Sequence, residues 1–179
     1  TATLRRLVDE HGVAAVVGDL ATENDAVRLA SSGARAKQIQ TDSVCHLEAD
    51  MVAAAIDGWD LTQLDFLFIE NVGNLVCPTS WDLGEALRVM LLAVTEGEDK
   101  PLKYPTLINT ADVVVISKLD LAAAVGFDRR LALQNIQLVR PGIRVIETSA
   151  KSGQGMEEWY EFLLQQFAAQ RSATQQSTS

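Results

Sequence analysis

Short blocks of consecutive apolar residues punctuate the chain, spaced so that most are separated by room for a helix. The blocks Val13–Val17, Ala36–Ile39, Phe66–Ile69, Val113–Ile116 and Ile143–Ile146 read as strands. Most are unbroken rather than alternating, the pattern of strands covered on both faces. Between them, apolar positions recur at helical spacing. Asn24–Ser32 follows the cap candidate Thr22 and stops at Gly33. Leu83, Leu87, Met90, Leu91 and Val94 predict a helix after Pro78-Thr79-Ser80, and Met156, Trp159, Leu163 and Phe167 predict another. This alternation predicts an α/β fold with a largely parallel sheet. The chain opens inside a helical pattern (Leu4, Leu7, Val8) with no strand before it. From Arg171 the run is polar and of low complexity, which predicts a disordered tail over 171–179 after a single domain over 1–170.

Composition narrows the partners. The chain has 179 residues, 47% of them apolar and 22% charged, enough for a real core. Its net charge of −9 argues against non-specific nucleic-acid binding and against an anionic membrane surface. No apolar run approaches the roughly eighteen residues that span a bilayer, and the amphipathic start lacks a secretory block. Cytoplasm is therefore the expected location. Two cysteines, Cys45 and Cys77, are too few for a disulfide scaffold and are open to two readings, buried small hydrophobes or ligands.

Candidate chemistry lies at the strand ends. Val13–Val17 runs into Gly18-Asp19, and Phe66–Ile69 into Glu70-Asn71-Val72-Gly73. In open α/β sheets ligands bind at the carboxyl ends of strands, so these carboxylates either hold Mg²⁺ and its waters or cap turns. The strand in "VVVISKLD" (Val113–Asp120) is followed by polar-Lys-x-Asp, the arrangement that recognises guanine in GTP-binding proteins. There the Asp accepts from the N1 and N2 edge, and the Lys stem lies over the base. Ser117 stands where Asn is usual. About thirty residues on, "ETSAKSG" (Glu147–Gly153) follows another apolar run and has the form of the Ser-Ala-Lys loop that meets guanine O6. The Gly-x-x-x-x-Gly-Lys-Ser/Thr loop that cradles phosphates is not in these residues, so the chain as written is not expected to hydrolyse GTP efficiently.

Cys45-His46 and Cys77 form the third group. Adjacent side chains diverge on a rigid element, so a shared site across a two-fold axis is one way to use them. Thiolate and imidazole suit Zn²⁺ in tetrahedral or Ni²⁺ in planar geometry.

Taken together, "GDLATENDAVRLASSG", "CHLEADMV", "DFLFIENVGNLVCPTSWDLGE", "VTEGEDKPLKYP", "SKLDL" and "TSAKSGQGMEEW" resemble the HypB family, the nickel-incorporation GTPases of [NiFe]-hydrogenase maturation. The match spans Thr3 to about Phe167. The resemblance implies a three-layer, P-loop NTPase-like α/β fold of the SIMIBI type, with the first strand and the phosphate loop falling outside these residues. It implies a GTP hydrolase that is a homodimer and uses GTP, magnesium and nickel or zinc. Its partners would be the hydrogenase large subunit and other nickel-insertion accessory proteins, with no nucleic acid and no membrane.

Residue by residue, Asp19 and Glu70 would lie near Mg²⁺ and the γ-phosphate, and Gly73 would sense that phosphate. Lys118 and Asp120 would hold guanine, with Ser149 and Ala150 closing over it, and Cys45, His46 and Cys77 would bind nickel or zinc. Two departures stand out. Asp42-Ser43-Val44 replaces a Gly- and Lys-containing stretch, and no His-rich storage run is present. The competing expectation is a non-catalytic metal-binding or dimerisation module that has lost GTP hydrolysis.

Overall fold

The computed structural model describes residues 1–19, 24–41, 45–73 and 76–177, with the side chains of 19, 24–26, 78, 80 and 174–177 left out. The chain forms two compact units, Thr1–Gly84 and Glu85–Ser179, each described by itself.

The first unit contains α1 (Ala2–Leu7), β1 (Val13–Asp19), α2 (Asn24–Ala30), β2 (Arg35–Gln40), α3 (Ala49–Ala55) and β3 (Phe66–Glu70). Its strands are parallel and ordered β2-β1-β3. The unbroken run Val13–Val17 is the central strand, and all five residues are buried, as both-face coverage requires. Leu4 and Leu7 of α1, Leu29 of α2, and Val52 and Ala55 of α3 are buried with it. Gly33, with φ at +89°, takes the left-handed turn that ends the α2 segment. The cap candidate Thr22 and the Asp42-Ser43-Val44 departure lie outside the described residues.

The second unit contains β4 (Val89–Ala93), α4 (Lys100–Lys103), α5 (Pro105–Thr110), β5 (Val113–Ser117), α6 (Ala122–Val125), α7 (Arg129–Val139), β6 (Arg144–Glu147) and α8 (Met156–Ser177). Its strands are also parallel, in the order β4-β5-β6. Met90, Leu92, Val114, Ile116, Ile108 and Ile136 form its core. Asp128 caps α7 by accepting from the Leu131 N–H at 2.9 Å. No described helix is long and apolar enough to cross a membrane.

One element corrects the sequence reading. The helix expected from Leu83, Leu87, Met90, Leu91 and Val94 is absent; its second half is strand β4. Gly84 sits at φ +76° with its N–H bound by the Asp82 carboxylate, which breaks any helix there. The run Val89–Val94 is continuously apolar and so satisfies helical spacing by accident. In the strand, Met90 and Leu92 are buried while Leu91 is 61% exposed. At the other end of the unit, helix α8 continues through the run from Arg171 to Ser177 that was expected to be disordered. Extending a formed helix adds a hydrogen bond for each residue fixed, so Ala and Gln residues propagate it readily.

Candidate functional site

Two stretches far apart in sequence meet at the carboxyl-terminal side of the first unit's sheet. One ligand atom from each of Cys45, His46 and Cys77 lies within 4.8 Å of the others, inside a single chain. The sulfurs of Cys45 and Cys77 approach to 2.7 Å, and both are free thiols. Adjacent side chains were expected to diverge, yet Cys45 Sγ and His46 Nδ1 are only 4.0 Å apart. The reason is local: Cys45 and His46 sit in an irregular segment ahead of α3, not on a rigid strand or helix. The Cys45 thiol is held below its ordinary value, first by its contact with Cys77 and then by His46. Two sulfurs and an imidazole are the donor set that Zn²⁺ and Ni²⁺ prefer, so the residues fit such an ion.

The surroundings explain how this segment is held. Asn71, the residue after β3, accepts two backbone hydrogen bonds on Oδ1, from the N–H groups of Leu47 and Val72, each at 2.9 Å. Leu47, next to His46, is completely buried. A Cβ at Gly18 would lie 2.8 Å from the Leu47 side chain, so glycine in β1 makes room for it. The segment is thus tied to the ends of both β1 and β3. Trp81 stacks on the His46 ring at 4.6 Å between centroids and 14° between planes. Glu48 Oε1 lies 3.3 Å from His46 Nε2. Sequence reasoning missed Asn71, Glu48 and Trp81. Only the i, i+2 spacing of His46 and Glu48 gave any signal, since such residues share a side of an extended segment.

Asp19 and Glu70 are the last residues of their strands, as the apolar runs predict. Asp19 ends β1 and pairs in register with Gln40, although its side chain is outside the described residues. Glu70 ends β3 opposite Val17. The Thr1 amino group, at the start of α1, is held below its ordinary value by burial, which the nearby Glu70 carboxylate opposes. Gly73 has no left-handed φ, and an added Cβ would meet nothing within 4 Å, so the fold itself does not demand glycine there.

In the second unit, Lys118 follows β5 at φ 60° and ψ 37°, the one non-glycine residue with positive φ among those described. Such conformations cost of order 1–3 kcal/mol and concentrate at ligand sites. The turn is bound to the loop after β6: Leu119 N–H donates to Thr148 O at 3.1 Å, and the Ser149 hydroxyl donates to Asp120 Oδ1 at 2.5 Å. The loop closes on itself through Ser149 N–H to Gln154 O at 2.8 Å. Gly155, at φ +67°, is obligatory, since a Cβ would fall 1.8 Å from Glu147 O. Ser149 is buried, while Lys118, Asp120 and Ala150 are exposed. The structure therefore joins Lys118, Asp120, Ser149 and Ala150 in one pair of loops, and Cys45, His46 and Cys77 in another group.

Parallel strands interleaved with helices, with polar loops at the strand ends, define an α/β fold of the P-loop GTPase type. The chain belongs to the CobW/HypB/UreG family, whose nucleotide-binding domain matches residues 1–147. It is 46% identical over 163 residues to the hydrogenase maturation factor HypB of Escherichia coli K12, covering 91% of this chain and 56% of that protein. To the hydrogenase/urease maturation factor HypB of Helicobacter pylori 26695 it is 44% identical over 154 residues, 84% of this chain and 64% of that protein. The chain spans little more than half the length of several curated relatives it matches. A crystal structure of H. pylori HypB in complex with nickel superposes with a TM-score of 0.86 at 40% identity, covering 94% of this chain and 81% of that one. HypB from Archaeoglobus fulgidus gives 0.84 at 39% identity, covering 92% and 80%.

Proposed function

We propose that this chain is a nickel-insertion accessory GTPase of [NiFe]-hydrogenase maturation, present here without the phosphate-binding loop on which efficient hydrolysis depends. It binds nickel or zinc through Cys45, His46 and Cys77 and couples metal transfer and dimerisation to GTP. The observation that carries the reading is the convergence of those three residues within 4.8 Å in a chain of this family.

In the proposal, the segment before α3 and the connection after β3 present the thiolates and the imidazole to the metal. Nickel is the cargo, and zinc is the alternative occupant. Asp120 accepts from the guanine N1 and N2 edge, Lys118 lies over the base, and Ser149 and Ala150 close over it. The Ser149 hydroxyl holds the Asp120 carboxylate in place. Asp19 and Glu70 serve magnesium and the phosphates, and Gly73 lets the γ-phosphate approach the backbone. Magnesium, when bound, neutralises phosphate charge. The coupling follows from connectivity: Asn71 lies between Glu70 and Gly73 and also fixes Leu47, next to His46. A phosphate-dependent shift of that turn moves both halves of the metal group. The same reading makes residues 1–170 one GTPase-like domain acting as a homodimer with the hydrogenase large subunit and other nickel-insertion proteins.

The test is competition binding of GTP, GDP and ATP to the full chain, with mass followed by light scattering. Guanine nucleotides are expected to bind in preference to ATP and to raise the dimer fraction. If no nucleotide binds while metal still does, the non-catalytic metal-binding module takes its place.

A further inference from the structure

We propose that Glu48 is a positioning residue that sets the His46 ring so that metal is taken by Nδ1, with the proton kept on Nε2. Trp81 holds the plane of that ring. The inference rests on the reading of Cys45, His46 and Cys77 as a metal site.

The argument is one of lone pairs. A neutral imidazole has one lone-pair nitrogen and one N–H, and a metal takes the lone pair. Nε2 faces the Glu48 carboxylate at 3.3 Å, and an ionised carboxylate only accepts, so the contact is favourable when Nε2 carries the hydrogen. Nδ1 then presents its lone pair on the side of the Cys45 sulfur, 4.0 Å away. Trp81 and Glu48 divide the task. The near-parallel stack, 14° between planes, fixes the plane of the ring. It does not decide which way round the ring sits, because a half-turn about Cβ–Cγ leaves the plane unchanged. That half-turn would set carbon against the carboxylate, so Glu48 selects the edge.

The backbone makes this natural. Glu48 is extended (φ −111°, ψ 155°) as the residue preceding α3, and it lies two residues after His46. Leu47 between them is buried against Gly18, so it anchors the segment while its neighbours serve the metal. Trp81 is 43% exposed, and the His46 ring is its partner in a stacked contact. Carboxylates that hold the second nitrogen of a metal-bound His orient the ring, and their loss costs about ten- to a hundredfold in metal affinity.

The experiment uses the full chain labelled with ¹⁵N-histidine and titrated with zinc, read by long-range ¹H–¹⁵N correlation spectra. In the wild type, His46 is expected to bind zinc through Nδ1 and keep a proton on Nε2. Glu48→Ala should weaken zinc binding about tenfold or more and admit an Nε2-bound form. Glu48→Gln, which keeps an acceptor oxygen, should retain Nδ1 ligation. Thermal melting of the metal-free variants separates this from misfolding, and wild-type melting is expected. Zinc on Nε2 in the wild type, or wild-type affinity and Nδ1 ligation in Glu48→Ala, overturns the inference and leaves the metal site standing. Zinc that leaves both His46 nitrogens unperturbed overturns the reading of Cys45, His46 and Cys77 as a metal site, and the inference with it.

Discussion

Leu47 is the residue on which the metal segment hangs. It is completely buried against Gly18, and its N–H is taken by Asn71. Gly18→Ala forces Leu47 to move and is expected to cost about 1–3 kcal/mol as overpacking, visible as a lower melting temperature. Because Leu47 adjoins His46, the same variant should also weaken zinc binding. Asn71→Leu leaves the Leu47 and Val72 N–H groups without their acceptor. It should loosen the metal segment while leaving guanine binding in the second unit intact, measured by zinc titration beside nucleotide titration. Asp120→Ala should do the reverse. It removes a charged acceptor worth about 1.5–3 kcal/mol, roughly ten- to a hundredfold in GTP affinity, with zinc affinity unchanged. At this scale the sequence was legible only in part. Lys118, Asp120 and Ser149 could be placed because their motifs are local. The contact between Asn71 and Leu47 spans 24 residues of chain, and no periodicity announces it.

Elements were most legible where burial is complete. Val13–Val17 and Val113–Ile116 are unbroken apolar runs because they are central strands covered on both faces. The failure at β4 has the same root: an unbroken run matches every period, and what stops a helix there is the left-handed backbone of Gly84, which apolar spacing does not reveal. The two readings of this segment separate on adjacent residues. A helix would place Leu91 on the apolar face with Leu87 and Val94, whereas the strand leaves Leu91 61% exposed and Leu92 fully buried. Leu91→Lys should therefore change stability by less than about 1 kcal/mol. Leu92→Ala should cost about 2–5 kcal/mol in denaturant unfolding. Equal costs at the two sites would contradict the strand.

Over the whole molecule, the fold class followed from strand–helix alternation, and the two parallel sheets agree with it. The −9 charge bears on partners rather than on shape. What composition could not reveal is that both halves of the metal group depend on the turn after β3. Cys77 follows it in the chain, and Leu47, the neighbour of His46, is hydrogen-bonded to it through Asn71. That arrangement is why the residues proposed to hold metal and those proposed to face phosphate are taken as one device. The most direct measurement is nickel titration of the full chain with and without GTP, followed by thiolate-to-nickel charge-transfer absorption. The account predicts a thiolate band that is lost in Cys77→Ala, and an affinity that changes when GTP is added to the wild type. A nickel affinity indifferent both to Cys77→Ala and to GTP would contradict it.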